Sequence, residues 1–167
     1  AEAVAEQFGL AGNYSLLVSE RDQNFCLTTA NSDRYLVKVT SPVEPRDVTD
    51  FQIAALDHLA NCRVIGVPQN VRTTAGKKHG SIQSDDGTPL CLRVLTWLNG
   101  SLLDDSQITP EMANSLGGRL ADLDVALERF VHESDGQASL CDTQRAGQLR
   151  GLLVHVGDSV MRQQLET

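Results

Sequence analysis

The chain has 167 residues, 41% of them hydrophobic, and a formal net charge of -8 at pH 7. A chain of this length buries roughly two thirds of its unfolded surface, enough for one modest domain or for one lobe with an appendage. Its acidic balance leaves no basic footprint for nucleic acid or anionic lipid, no apolar stretch approaches a membrane span, and the N-terminus shows no basic-then-apolar leader.

Ala1 to Phe8 reads as a short helix stopped by Gly9, a residue that readily takes the left-handed conformation. Asn13 to Val18 and Asn24 to Thr29 read as a hairpin across the polar loop Ser19 to Gln23, and Asn31-Ser-Asp33 turns the chain into a third strand. In that strand, Arg34 to Val39, side chains alternate, so Tyr35, Val37 and Val39 share one face while Leu36 and Lys38 share the other. A lone lysine there suits an anion; an exposed edge lysine would give the same pattern. Asp47 to Ala60 reads as a helix with Val48, Gln52, Ala55, Leu56 and Leu59 on its inward stripe, which makes Gln52 a polar residue in an apolar face.

Val71 to Thr74 and Leu90 to Leu95 complete an antiparallel sheet of five strands, and the Asp86-Gly87 pair between them is turn chemistry. Beyond the connector Leu95-Thr-Trp-Leu-Asn-Gly100 the pattern turns helical. Thr109 caps and Pro110 opens a helix whose expected buried stripe is Met112, Leu116, Leu120, Leu123 and Leu127. A second helix is expected from about Asp142 to Leu165, with Leu149, Leu152, Leu153, Val156 and Val160 inward. Cys26, Cys62, Cys91 and Cys141 contain no Cys-x-x-Cys spacing, so neither a zinc site nor a disulfide framework is indicated, and a cytoplasmic location is expected.

The order of parts, with Ser19-Glu-Arg-Asp-Gln-Asn-Phe25 followed by Tyr35-Leu-Val-Lys-Val39, resembles the N-terminal half of the aminoglycoside phosphotransferase-like kinases, the group that includes choline and homoserine kinases. It is most similar to the hydroxylysine-kinase-like branch. The resemblance implies an α+β fold: a protein-kinase-like small lobe over residues 1–98, made of a five-stranded antiparallel sheet and one helix. Residues 99–167 would then be the hinge and the first helices of the large lobe. It also implies transfer of the ATP γ-phosphoryl, with Mg2+, to a hydroxyl of a small amine or amino alcohol.

On the same resemblance Lys38 grips the phosphates, Leu36 covers one side of the adenine, and the main chain of Thr96 and Leu98 reads the adenine edge. Ser19 and the backbone amides of Arg21 to Gln23 cradle an oxyanion, while Asn24 pins the hairpin. Gln52 takes the place where the wider group carries a glutamate; it either accepts a hydrogen bond from Lys38 or merely borders the helix stripe. Glu20 and Asp22 read as plain turn residues, because carboxylates repel phosphate, and Trp97 reads as packing. The family's His-Gly-Asp segment is absent: His155-Val-Gly-Asp158 falls in the last helical pattern, where Asp158 reads as a surface residue. No catalytic residue is therefore expected within the chain, and the proton acceptor and magnesium ligands are expected beyond residue 167 with the rest of the large lobe. A competing expectation is a non-catalytic binding or assembly module of a larger multidomain enzyme, favoured by Gln52 and the glycine-free loop.

Overall fold

A computed structural model describes residues 1–101, 108–134 and 143–166. The chain divides into two compact units, Ala1–Glu133 and Ser134–Thr167.

The first unit opens with α1 (Glu2–Phe8), which ends where Gly9 takes φ +67° and its N–H returns to the Ala5 carbonyl at 3.0 Å. Three strands follow as a meander, β1 (Gly12–Leu17), β2 (Gln23–Thr29) and β3 (Arg34–Val39). The second turn of the meander holds Ser32 at φ +65°. After α2 (Arg46–Asn61) come β4 (Asn70–Val71), β5 (Gly80–Gln83) and β6 (Pro89–Thr96). The sheet is antiparallel throughout and runs β1-β2-β3-β6, with β4 and β5 dividing the far edge of β6 between them.

That division makes six strands where the sequence suggested five. Thr73, expected in an edge strand, instead closes a turn: its N–H donates to the Lys77 carbonyl and its Oγ1 accepts the Lys77 N–H, both at 3.0 Å. Gly76, at φ +76°, completes the reversal, and the chain re-enters the edge at Gly80.

One face of the sheet buries Leu27, Val37, Val39, Leu92 and Val94 against Val4 and Phe8 of α1. Residues of α2 reach Arg93 and β4 through Gln52 and through Asn70, whose Nδ2 donates to the Ile53 carbonyl at 3.0 Å and to Asp57 Oδ1 at 2.8 Å. The buried residues of α2 are Thr49, Ile53 and Leu59, so its inward stripe is rotated by about one residue from the expected Val48, Gln52 and Ala55. The physical reason is direct. Burying the Ile53 side chain gains about 2 kcal/mol, whereas burying the Gln52 amide in apolar surroundings would cost energy.

α3 (Pro110–Leu127) begins as expected, with Thr109 Oγ1 accepting the Met112 N–H at 3.2 Å and proline in the first turn. Its expected stripe is not buried: Met112, Leu116 and Leu120 are 44%, 53% and 52% exposed. The helix meets α2 near its C-terminal end, where a His58 ring nitrogen lies 2.8 Å from the Ala126 carbonyl. There Phe51 packs edge-on against Phe130 and His132.

The second unit holds a 3-10 helix (Thr143–His155) and α4 (Ser159–Glu166) in place of one continuous helix; Asp142, the expected start, lies outside the described residues. The break falls at Val156 to Asp158. Asp158 Oδ1 accepts the N–H groups of Val160 and Met161 at 2.8 and 3.1 Å, which makes it the cap of α4 and not a residue inside a helix. Leu152 and Val160, expected inward, are exposed, whereas Leu149, Leu153 and Val156 are half-buried. No helix among the described residues is long and apolar enough to cross a membrane.

Candidate functional site

Strand register sets three polar side chains side by side. Asn24 of β2 pairs with Lys38 of β3, which in turn pairs with Arg93 of β6. Directly opposed residues point to the same face, so an amide and two cations form a row across the sheet. The next row on that face is apolar: Cys26, Leu36 and Leu95.

The β1–β2 loop folds over this row. Asp22 Oδ2 lies 3.1 Å from Lys38 Nζ and 3.9 Å from Arg93 Nη2, and its Oδ1 accepts the Ser41 N–H at 3.1 Å. Arg93 Nη2 also donates to Gln52 Oε1 at 2.8 Å. Beneath the loop is a cleft of about 440 Å³, bordered by Val18 to Asp22, Lys38, Thr40, Glu44, Gln52 and Arg93. Arg93 is 3% exposed, and its Nε has no hydrogen-bond partner. Burial lowers the Arg93 pKa, which the nearby Cys91, Asp22 and Glu44 oppose. The guanidinium stays charged at neutral pH.

Two expectations are corrected here. Gln52 meets Arg93 instead of Lys38, because the partner of Lys38 is a carboxylate from the loop. Asp22, read from sequence as a plain turn residue, is that partner. A carboxylate repels phosphate, but in the free protein the two cations themselves attract Asp22. Arg93 is a site residue beyond the sequence expectations, although Leu90-Cys-Leu-Arg-Val-Leu95 carries the same signal as the Lys38 strand, a lone charge in an apolar run.

The remaining candidates divide. Asn24 Nδ2 donates to Ser19 Oγ at 3.1 Å, which ties the loop across its base. Leu36 shares the Lys38 face, one row away. Thr96 lies three residues beyond Arg93, roughly 10 Å along β6. Its N–H donates to the Gln69 carbonyl and its Oγ1 accepts the Gln69 N–H, both at 2.9 Å. Leu98 is 48% exposed, and neither it nor Thr96 borders the cleft. Trp97 packs beneath the Arg34 guanidinium at 5.0 Å from the ring centroid, and Arg34 Nη2 donates to Asn99 Oδ1 at 2.7 Å. Among the described residues no group of three or more His, Cys, Asp or Glu side chains is arranged to hold a metal ion.

The sequence profile of the APH group, described as the phosphotransferase enzyme family, matches residues 15–164. No curated protein matches the chain. The solved structures that share its fold include two kinases. An amicoumacin kinase, hAmiN, in complex with AMP-PNP, Ca2+ and Ami, has a TM-score of 0.74 at 14% identity, over 99% of this chain and 52% of that one. A microcompartment-associated aminopropanol kinase has a TM-score of 0.58 at 19% identity, over 95% of this chain and 57% of that one. The chain spans about half the length of these kinases.

Proposed function

Because the chain belongs to the phosphotransferase enzyme family, we propose that it is the N-terminal, nucleotide-binding part of a kinase that transfers the ATP γ-phosphoryl to a hydroxyl of a small amine or amino alcohol. The observation that carries this reading is the row Asn24–Lys38–Arg93 facing a cleft under the β1–β2 loop. Residues 1–98 form the nucleotide-binding lobe, and residues 99–167 the connector and first helices of the second lobe. Lys38 supplies an aimed point charge for phosphate oxygens, and a charge-assisted contact of this kind is about twice as strong as a neutral one. Ser19 and Asn24 fix the loop above it, Leu36 offers apolar cover to the adenine, and Gln52 orients Arg93. The main chain of Thr96 and Leu98 is the proposed adenine edge.

The name of the aminopropanol kinase supports an amino alcohol acceptor, and a net charge of -8 suits a cationic one. Magnesium supplies charge neutralisation to the phosphates when bound. Its ligands, together with the proton acceptor, are assigned to the remainder of the kinase, since this chain spans about half the length of the two similar kinases. The chain alone then binds nucleotide without completing transfer. A reducing cytoplasm is the proposed compartment.

Thermal melting of the chain with AMP-PNP and Mg2+ tests the reading. A ligand at a hundredfold its Kd stabilises the native state by about 2.7 kcal/mol, so the Tm should rise, and Lys38→Ala should abolish the rise while the protein still melts cooperatively. The second reading, a non-catalytic module, is favoured by one observation: the counter-charge of Lys38 comes from the loop and not from α2. A melting curve unmoved by millimolar nucleotide would select it.

A further inference from the structure

We propose that Lys38 and Arg93 form a two-cation phosphate grip, and that Asp22 is an internal counter-anion which an incoming polyphosphate displaces from it. The inference rests on the nucleotide-binding reading above and adds two residues that reading does not use for binding.

Lys38 and Arg93 are directly opposed across β3 and β6, so one extended anion can touch both. The Lys38 Nζ–Asp22 Oδ2 distance of 3.1 Å, with Arg93 Nη2 at 3.9 Å, puts a single carboxylate oxygen between them. Arg93 is buried, with one guanidinium edge held by Gln52 and with Nε unpartnered. A buried donor left unsatisfied is costly, so the fold maintains an arginine that Asp22 and Gln52 together do not saturate.

The charges bordering the cleft explain why displacement is required. Arg21, Lys38 and Arg93 stand against Glu20, Asp22 and Glu44, a balance that gives a polyanion no net attraction. When Asp22 leaves, its negative charge goes with it, and the two cations face the ligand alone. Asp22, its own side chain 15% accessible, hangs from the loop between β1 and β2, whose residues Val18 to Arg21 are exposed, so it can swing outward with that loop. Its contacts with Lys38, Arg93 and the Ser41 N–H break, and phosphate oxygens take over both cations. No covalent bond changes.

The test is calorimetric titration of the chain and of Asp22→Asn with inorganic tripolyphosphate, and in parallel with AMP-PNP and Mg2+. Asparagine keeps an oxygen for the Ser41 N–H and removes the charge. Asp22→Asn should bind tripolyphosphate about tenfold tighter, the scale of one charge-assisted hydrogen bond no longer competed for. Adding Arg93→Gln to that variant should reverse the gain. Unchanged or weaker tripolyphosphate binding by Asp22→Asn overturns the proposal, and that variant decides alone if Arg93→Gln does not fold. Tighter tripolyphosphate binding without AMP-PNP binding keeps the grip and removes the nucleotide reading. AMP-PNP binding with no gain from Asp22→Asn does the reverse.

Discussion

A carboxylate 3.1 Å from Lys38 relieves the fold of holding an unpaired ammonium over an apolar sheet, and a second carboxylate is likewise held by local partners. Asp86, at the β5–β6 turn, accepts hydrogen bonds from the Ser84 hydroxyl and, at 3.0 Å, from the Thr88 N–H. These bonds, that of Ser84 foremost, lower its pKa to about 2. Because the folded value lies below the ordinary one of about 4, the turn's ionic contribution is complete above that range and is lost as pH falls toward the folded value. The Thr88 amide shift followed by NMR should titrate with a midpoint near 2; a midpoint near the ordinary value would contradict this. The Asp-Gly turn was legible in the sequence, whereas the shift depends on Ser84 and Thr88 closing on one oxygen. Lys38 was legible by its alternation alone. Asp22 and Arg93 needed the register that brings β3 and β6 together.

Between elements, the contact that sequence patterns missed most completely is α1 on β5. Gln7 donates from Nε2 to the Ser81 carbonyl at 2.8 Å and accepts the Ser81 N–H on Oε1 at 2.9 Å, so one side-chain amide imitates a neighbouring strand. A Cβ on Gly80 would collide with Gln7 Oε1 and come within 3.1 Å of Phe8 Cε2. Gln7→Ala should therefore cost about 1 kcal/mol, since water reaches the exposed Ser81 groups. Gly80→Ala should cost about 1–3 kcal/mol, because the Gln7 amide must swing off Ser81 and the Phe8 ring must also yield. Urea denaturation of both variants checks the order; a neutral Gly80→Ala would refute it. The existence and approximate bounds of α1, β1 to β3, α2, β6 and α3 could be read from periodicity and caps. The β4–β5 edge could not, because the Thr73 turn is made by hydrogen bonds that local composition does not announce. The final helix failed because Asp158, next to Gly157, caps a new helix more favourably than it continues the old one.

Across the whole molecule, the leucine periodicity of α3 was real, but its burial depends on a neighbour that no residue of the helix specifies. Met112, Leu116 and Leu120 are accordingly exposed. The sheet carries a further consequence, in time. β1 and β2 each pair with the strand that follows, whereas Val37 of β3 meets Val94 of β6 only after α2, β4 and β5 have been made. Closing so long a loop is entropically costly and slow. A nascent chain emerging from the ribosome can therefore zip its meander early while Lys38 waits for the strand that delivers Arg93. Pulse-labelled hydrogen exchange during refolding should protect the amides of β2 before those of β6, and simultaneous protection would contradict this. Binding competence would then arise in the closing step of folding, so an interrupted translation product ending before β6 would carry the lysine but no grip.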